Sequence, residues 1–435
     1  MSGKILTLSR AACDRVGRPQ SEDCGSVNLL TPFFLLLPMH TYESLDLLRT
    51  ESRLLAYSNE FAINALENRV NYVIGQGHRY QVVAKDAQDA CLAQQVQEVL
   101  DSFCDENDWT RRQREIMRRR DRDGEVFCRL FPSRKGILQL RFVEPEQVAT
   151  PPRYFNEPHM SFGIHTDPHD TETVFGYWID DMLVDAESIL HRRANVDSNV
   201  KRGLPLLTPV RKNLRRAEKL LRNMSVVAEI QSAIALIRKH QTTEREAIRQ
   251  FVQNQATKQV VDSETGQVQT FRHFTPGTII DSGSNTEYEF PASAIDASKY
   301  ILVLQAELRA IASRLVMPEF MLTSDASNAN YASTMIAEGP AVRMFERLQH
   351  EIIGEDRQLF KMVIREAMLQ GLLPERTCQK VLLHAIPPML AARDRLNEAK
   401  ADAILYNLGV ISKETLAMRY GLDPNQEERL CLCNQ

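Results

Sequence analysis

The run from Ala306 to Gln349, AELRAIASRLVMPEFMLTSDASNANYASTMIAEGPAVRMFERLQ, constrains the fold more than any other part of the chain. An apolar helical pattern stops at Val316-Met317, ahead of Pro318, as proline requires of the residues before it. A loop rich in Ser, Asn and Ala follows. A second helical pattern starts near Ser333, tolerates Gly339-Pro340 as a kink, and runs to about Leu369. A loop of small polar residues between two helices holds no reacting group rigidly, so a catalytic scaffold is not expected there. It suits a flexible lip projecting from a helical frame into open space.

The rest of the chain supplies that frame. Leu47, Leu54, Leu55, Ile63, Leu66, Val70 and Val73 recur at helical spacing and predict one helix over Tyr42 to Val73, stopped by Gly75 and Gly77. A strand is expected at Tyr80 to Ala84, and another helix over about 87 to 120. After Asp123-Gly124 the period falls to two, predicting strands at Glu125 to Phe131, Leu138 to Val143, Val174 to Ile179 and Ser188 to Arg192. Past Arg202-Gly203-Leu204-Pro205 the helical period returns, with Leu214, Leu221, Met224, Ile230, Ile234 and Ile237 on one face. Residues 258 to 290 read as a small β insertion between short Gly- and Pro-containing turns. From Ile295, Ile301, Leu304, Leu308, Ile311 and Leu315 form one stripe, and Asp394 to Gln435 read as short helices stopped at Gly409 and Gly421. Two helices flanking a β insert bury only the seam between them. Their remaining faces need neighbours, and copies of the same chain are the economical source, so a ring built on heterologous contacts is expected.

A length of 435 residues exceeds one ordinary core, and two or three structural units are expected. With 43% hydrophobic and 25% charged residues the composition is that of a soluble globular protein. Formal net charge is -4, which argues against a protein that simply coats nucleic acid. The cysteines are Cys13, Cys24, Cys91, Cys104, Cys128, Cys378, Cys431 and Cys433, with no CxxC pair, so no structural zinc site is expected. Without a recognisable signal peptide, free thiols in a reducing cytoplasm are expected. The apolar stretch Leu29 to Pro38 falls far short of the roughly 20 residues that span a bilayer, so no membrane association is expected.

Four blocks, in order, carry a resemblance to the portal proteins of tailed bacteriophages, lambda family. They are Leu45 to Gly77; Asp123 to Phe127; Ile189-Leu190-His191 with Arg202 to Leu207; and Met317-Pro318-Glu319 with Asp325 to Ser333, similar to the family's G-V-P-x-E…D-x-S-x-x-N-Y-S-S pattern. The segment Glu398 to Pro424 fits the family's end. Met317 and Ala332 depart from the pattern, which prefers Gly-Val before the proline and Ser at the second site.

The resemblance implies a predominantly helical α+β fold: a mixed α/β wing (1–205 and 334–392), stem helices (206–250 and 292–316), a small α/β clip (251–291), a tunnel loop (317–333) and a short helical crown (393–435). It further implies a homo-oligomeric ring, of twelve subunits, at one capsid vertex of the virion, assembled in the host cytoplasm. Double-stranded DNA would pass through it. The partners would be the terminase large subunit, the head–tail connector, and the major capsid and scaffold proteins, with Thr270, Arg272, Pro276 and Gly277 at the docking clip. Ser324, Asp325, Ser327, Asn328, Asn330 and Tyr331 would face the DNA. No active site and no cofactor are implied.

The residues themselves agree with a non-enzymatic part. No G-x-x-x-x-G-K-[ST], GxSxG or HExxH occurs. His165, Asp167, His169 and Asp170 have metal-ligand types at tight spacing, but a solvated inter-strand loop is the expected reading, and Glu144 and Glu146 suit a turn. An enzyme using the His165–Asp170 cluster, such as a phage DNA-processing enzyme, is one alternative, and a basic nucleic-acid-binding protein is another. The arginines from Arg111 to Arg122 surround a helix on several faces, and their expected partners are acids of adjacent subunits. Lys201, Arg202, Arg211, Lys212, Arg215, Arg216, Lys219 and Arg222 are expected to form a solvated or subunit-facing surface. The lip lacks Lys and Arg between Met317 and Ser333. That suits sliding, because each firm phosphate contact adds affinity that a ring would multiply.

Overall fold

The computed structural model describes residues 41–132, 137–240, 257–261, 268–272, 278–283, 297–325, 327, 331–390 and 395–420. The first helical run is two helices, α1 (Tyr42–Ser58) and α2 (Glu60–Val73). They part at Asn59, an extended residue whose side chain accepts the Ala62 N–H at 3.1 Å. That cap restarts the helix and rotates its apolar face. Leu55, Leu66, Val70 and Val73 are buried as expected, but Leu47, Leu54 and Ile63 are exposed, and Leu45 and Leu48 face the core instead. The expected second helix is likewise two, α3 (Ala90–Asn107) and α4 (Trp109–Asp123), hinged at Asp108 in the left-handed region.

Strand β2 (Glu125–Pro132) lies between β3 (Leu138–Val143) and β7 (Ile189–Arg193), all antiparallel. A second sheet orders β4 (Ile164–Thr166), β5 (Val174–Ile179) and β6 (Met182–Asp185). The two pack through Phe127, Val143, Ile164, Tyr177 and Ile189. Strand β1 (Arg79–Ala84) pairs with β12 (Val381–Ile386), placing Tyr80 opposite Ala385. Sequence periodicity did not predict β12, because the stretch after Leu369 is short and its partner lies far away in the chain.

Helix α5 (Arg211–Ala233) ends earlier than its apolar pattern suggested, and Ile234 and Ile237 belong to β8 (Ile234–His240). That strand runs parallel to β11 (Thr278–Gly283), while β9 (Thr257–Val261) and β10 (Val268–Arg272) form an antiparallel pair. The β insertion is therefore real and begins inside the expected helix. Helix α6 (Ala297–Arg314) packs against α5, with Leu214 and Ala217 meeting Leu304, Leu308 and Ile311 in one core. The short α7 (Glu319–Thr323) precedes α8 (Tyr331–Leu369), which continues through Pro340. Its 39 residues span roughly 58 Å at the helical rise. One end, with Phe345 and Leu348, enters the core under α2 and α6; the other, with Phe360 and Val363, enters a second core under α3 and β2. A short α9 (Thr377–Lys380) leads into β12, and α10 (Arg395–Asn407) and α11 (Lys413–Arg419) close the described chain. Gly409 stands where the break was expected, whereas Leu29 to Pro38 and Gly421 lie outside the described residues. Among the described residues no helix is long and apolar enough to cross a membrane.

Gly124 and Gly203 form a close backbone crossing. Gly124 has φ +85°, and a Cβ on Gly203 would sit 1.9 Å from the Gly124 carbonyl oxygen. Only two glycines let the loop before α5 press against the start of β2.

Candidate functional site

The lip is more ordered at its start than its composition suggested. Val316 is in the left-handed region at φ +56°, an uncommon state for a β-branched residue. Its turn buries Met317 and lets α7 fold back, with Met321 and Leu322 buried. The Asn64 side chain donates to the carbonyls of Met321 and Leu322, both at 2.8 Å, and Asn68 donates to that of Met321 at 2.7 Å. Arg309 of α6 holds Glu319 at 2.7 Å. The expected mobile loop from Met317 to Ser333 is thus corrected: its first third is a docked helical turn.

Beyond Thr323 the chain faces solvent. Ser324 and Asp325 are exposed, and Ser324 is left-handed at φ +58°. The Asp325 carboxylate accepts the Ser327 N–H at 2.9 Å. Hydrogen bonds from Ser327, side chain first and backbone second, hold its carboxyl below the usual range. Asn328 and Asn330 lie outside the described residues, and Tyr331 is the first residue of α8. In the β insertion, Thr270 and Arg272 stand opposite Gln259 and Thr257 in the β9–β10 pair, while Pro276 and Gly277 lie outside the described residues.

The arginine-rich helix is spent inside its own chain, contrary to the expectation of partners in adjacent subunits. Arg118 reaches Glu67 at 2.6 Å, Arg119 reaches Glu144 at 2.7 Å, and Arg120 reaches Glu351 at 2.9 Å. Arg112 and Arg114 donate to the carbonyls of Asn107 and Gly75. Glu144 does begin a turn, Pro145–Gln147, but both it and Glu146 also receive arginines. The second basic cluster divides. Arg211 and Arg215 pair with Glu51, and Arg216 with Glu307. Lys201 and Arg202 are buried, not on a surface. The Lys201 ammonium donates to the carbonyls of Pro158, His159 and Ile164, and burial lowers its pKa to about 8.

Arg202 belongs to an ionic centre that spacing alone did not reveal. Glu125, fully buried at the start of β2, accepts Arg49 at 2.5 Å, Arg202 at 2.7 Å and His191 at 3.0 Å. The Gly203 N–H adds a bond at 3.2 Å. Burial alone would raise the Glu125 pKa, but Arg202, His191 and Arg49 outweigh it and bring it to about 2. Burial lowers the pKa of His191, so a neutral imidazole donates to the carboxylate. Next to it, Asp356 of α8 accepts Arg192 at 2.5 Å and Tyr80 at 2.5 Å, tying β7 and β1 to the long helix. These centres fasten elements together.

In the His165 loop, Asp167 accepts the His169 N–H at 2.8 Å, and Asp170 accepts the Thr173 hydroxyl at 2.6 Å. Both carboxylates cap turns of their own loop. Among the described residues no group of three or more His, Cys, Asp or Glu side chains is placed to hold a metal ion.

A polar lip on a docked turn, a helical pair around a β insertion and a buried ionic anchor describe a scaffold. A sequence profile described as "Phage portal protein, lambda family" matches residues 39–349. The chain belongs to that family of phage portal proteins. The matched span runs from α1 into α8, covering the lip and the β insertion. Among solved structures, the portal chain is similar to a chain of the virion of a native gene transfer agent particle. That likeness has 12% identity, 86% of this chain and 93% of the other covered, and a TM-score of 0.45. For the neck of an empty gene transfer agent particle the values are 13%, 86%, 94% and 0.46. An HK97-family phage portal protein from Corynebacterium diphtheriae gives 12%, 68%, 83% and 0.27. No curated protein matches the portal chain.

Proposed function

We propose that this portal chain acts as a structural, non-enzymatic subunit that closes with copies of itself into a ring at one vertex of a phage capsid. Twelve copies is the number the family resemblance implies. Double-stranded DNA passes through the ring during packaging and ejection. The terminase large subunit and later the head–tail connector dock on residues 251–291, where Thr270, Arg272, Pro276 and Gly277 lie, and the major capsid and scaffold proteins surround the ring. Residues 1–205 and 334–392 form the wing, 206–250 and 292–316 the stem, and 393–435 the crown. Within the loop 317–333, Ser324, Asp325, Ser327, Asn328, Asn330 and Tyr331 line the passage.

One observation carries this reading. At the start of α6, Tyr300, Ile301, Leu302 and Val303 are 37%, 44%, 65% and 51% exposed. Four consecutive helical residues cover the whole circumference, and a helix apolar all round is a buried helix. Their own chain leaves them partly open to water, and burying the part still exposed would contribute about 1 kcal/mol each. Leu47, Leu54 and Tyr57 make a second exposed apolar seam along α1. A charge-poor lip supports weak contact with the passing duplex.

Light scattering of the purified chain tests the proposal. An assembly many times the 49.7 kDa subunit mass is expected, reduced to monomer by Leu302→Glu together with Val303→Glu. A wild-type chain that stays monomeric at micromolar concentration would overturn it.

A further inference from the structure

A cleft of ≈ 670 Å³ lies where α2, α4, α5, α6 and α8 meet the loops after β7, with Val316 in its lining but not Ser324, Asp325 or Ser327. Arg69, Arg120, Arg193, Arg211, Arg314 and Arg347 line it, against two carboxylates, Asp121 and Glu351. Part of that charge is spent: Arg69 pairs with Asp121 at 2.5 Å, Arg120 with Glu351 at 2.9 Å, and Arg211 with Glu51 at 3.1 Å. Arg347 is only loosely held, 3.6 Å from Glu351. Arg193 donates to the carbonyls of Ser198 and Val200, which neutralise no charge. Arg314, exposed at the end of α6, has no ion-pair partner among the described residues.

Unmet hydrogen-bonding capacity is the second observation. Arg120 is 6% exposed, yet its Nε and Nη1 have no hydrogen-bond partner. The Thr208 hydroxyl, on the same cleft, is buried and unpartnered too. Buried donors left unmade are costly. Arg120 itself lies among Glu355, Asp121 and Glu351, so the surplus positive charge that suits an oxyanion is that of Arg193, Arg314 and Arg347. A cation would meet the wrong charge, and a neutral carbonyl would leave the surplus charge uncompensated.

We infer that this cleft binds phosphate-class oxyanions, with Arg120 and Thr208 at its floor and Arg193, Arg314 and Arg347 at its rim. A tetrahedral anion accepts several bonds at once, which a planar carboxylate does less fully. Such an anion reaches the cleft either as free phosphate or as the backbone phosphate of a nucleic acid.

Calorimetry and thermal melting of the full chain with inorganic phosphate, against chloride at equal ionic strength, test this. Saturable phosphate binding and a rise in melting temperature over chloride are expected. Arg314→Ala and Thr208→Val are expected to weaken phosphate binding at least about fivefold each. Without phosphate, Thr208→Val is expected to melt no lower than wild type, because it removes an unpaired buried hydroxyl. That separates a lost ligand from a damaged fold. A short DNA duplex that displaces phosphate identifies backbone phosphate as the source, and failure to displace it identifies the free ion. Phosphate that acts no differently from chloride, or variants that bind like wild type, overturn the assignment. So does an Arg314→Glu variant that blocks self-association of a chain which never binds phosphate, since the cleft then takes a carboxylate from a second copy.

Discussion

Replacing Glu125 with glutamine keeps the shape of the side chain and removes one charge. Two arginines, each 1% exposed at the side chain, then face an amide instead of a carboxylate. Breaking a buried ion pair by removing one partner costs about 3–5 kcal/mol, because the remaining charge is stranded. A second route agrees. Glu125 moves from an ordinary 4.5 to about 2 on folding, and at about 1.4 kcal/mol per unit that shift is worth about 3 kcal/mol. The sign follows from linkage: a depressed carboxylate contributes fully above pH 4.5 and loses its contribution as pH falls toward 2. Urea unfolding followed by the fluorescence of Trp109 and Trp178 measures both effects. Glu125→Gln is expected to lose about 3–5 kcal/mol at pH 7 and to show a shallower loss of stability through the acid window than wild type. A cost below about 1 kcal/mol, or an unchanged acid slope, would refute the view that this carboxylate clamps α1, β2, β7 and the Gly203 loop.

Three further outcomes are expected. Val316→Gly relieves a left-handed β-branched residue, a strain of about 1–2 kcal/mol, and Gly loses up to about 1 kcal/mol of that to chain entropy; melting should show no destabilisation, and a loss above about 1 kcal/mol contradicts the reading. Leu302→Glu with Val303→Glu should abolish assembly while leaving a folded monomer with the far-UV circular dichroism of wild type, since both sites are exposed; loss of helical signal would mean that they pack inside the subunit. Deleting Ser324 to Ala332 should spare assembly and impair genome filling, measured as DNA per particle, and normal filling would remove the lip from the channel.

The sequence was most informative where local rules suffice. Pro318 marked the end of α6, the period of two marked β2 and β3, and Gly409 marked a break between α10 and α11. It misled where a tertiary contact overrode a local pattern. Asn59 and Asp108 split two long periodic runs because each adopts a non-helical backbone state that hydrophobic spacing does not register. Ile234 and Ile237 continue a helical stripe yet pair in a parallel strand, since β11 supplies backbone partners from far along the chain. The family pattern places Gly before Val-Pro, and the Val316 backbone explains that preference: φ is positive there. The charge clusters were visible as residues but not as pairs. Arg202 and Glu125 are 77 positions apart, and only the fold brings them to 2.7 Å. Of the lip residues, Ser324, Asp325 and Ser327 are exposed, whereas the preceding helical turn, held by Asn64 and Asn68, carried no signal in the loop itself.

Electron microscopy of the purified full-length chain tests the ring most directly. The expected image is a closed annulus with a central opening wide enough for duplex DNA and with Leu302 and Val303 covered by a second copy. A solitary 49.7 kDa particle, or an assembly that leaves the start of α6 bare to solvent, would contradict it.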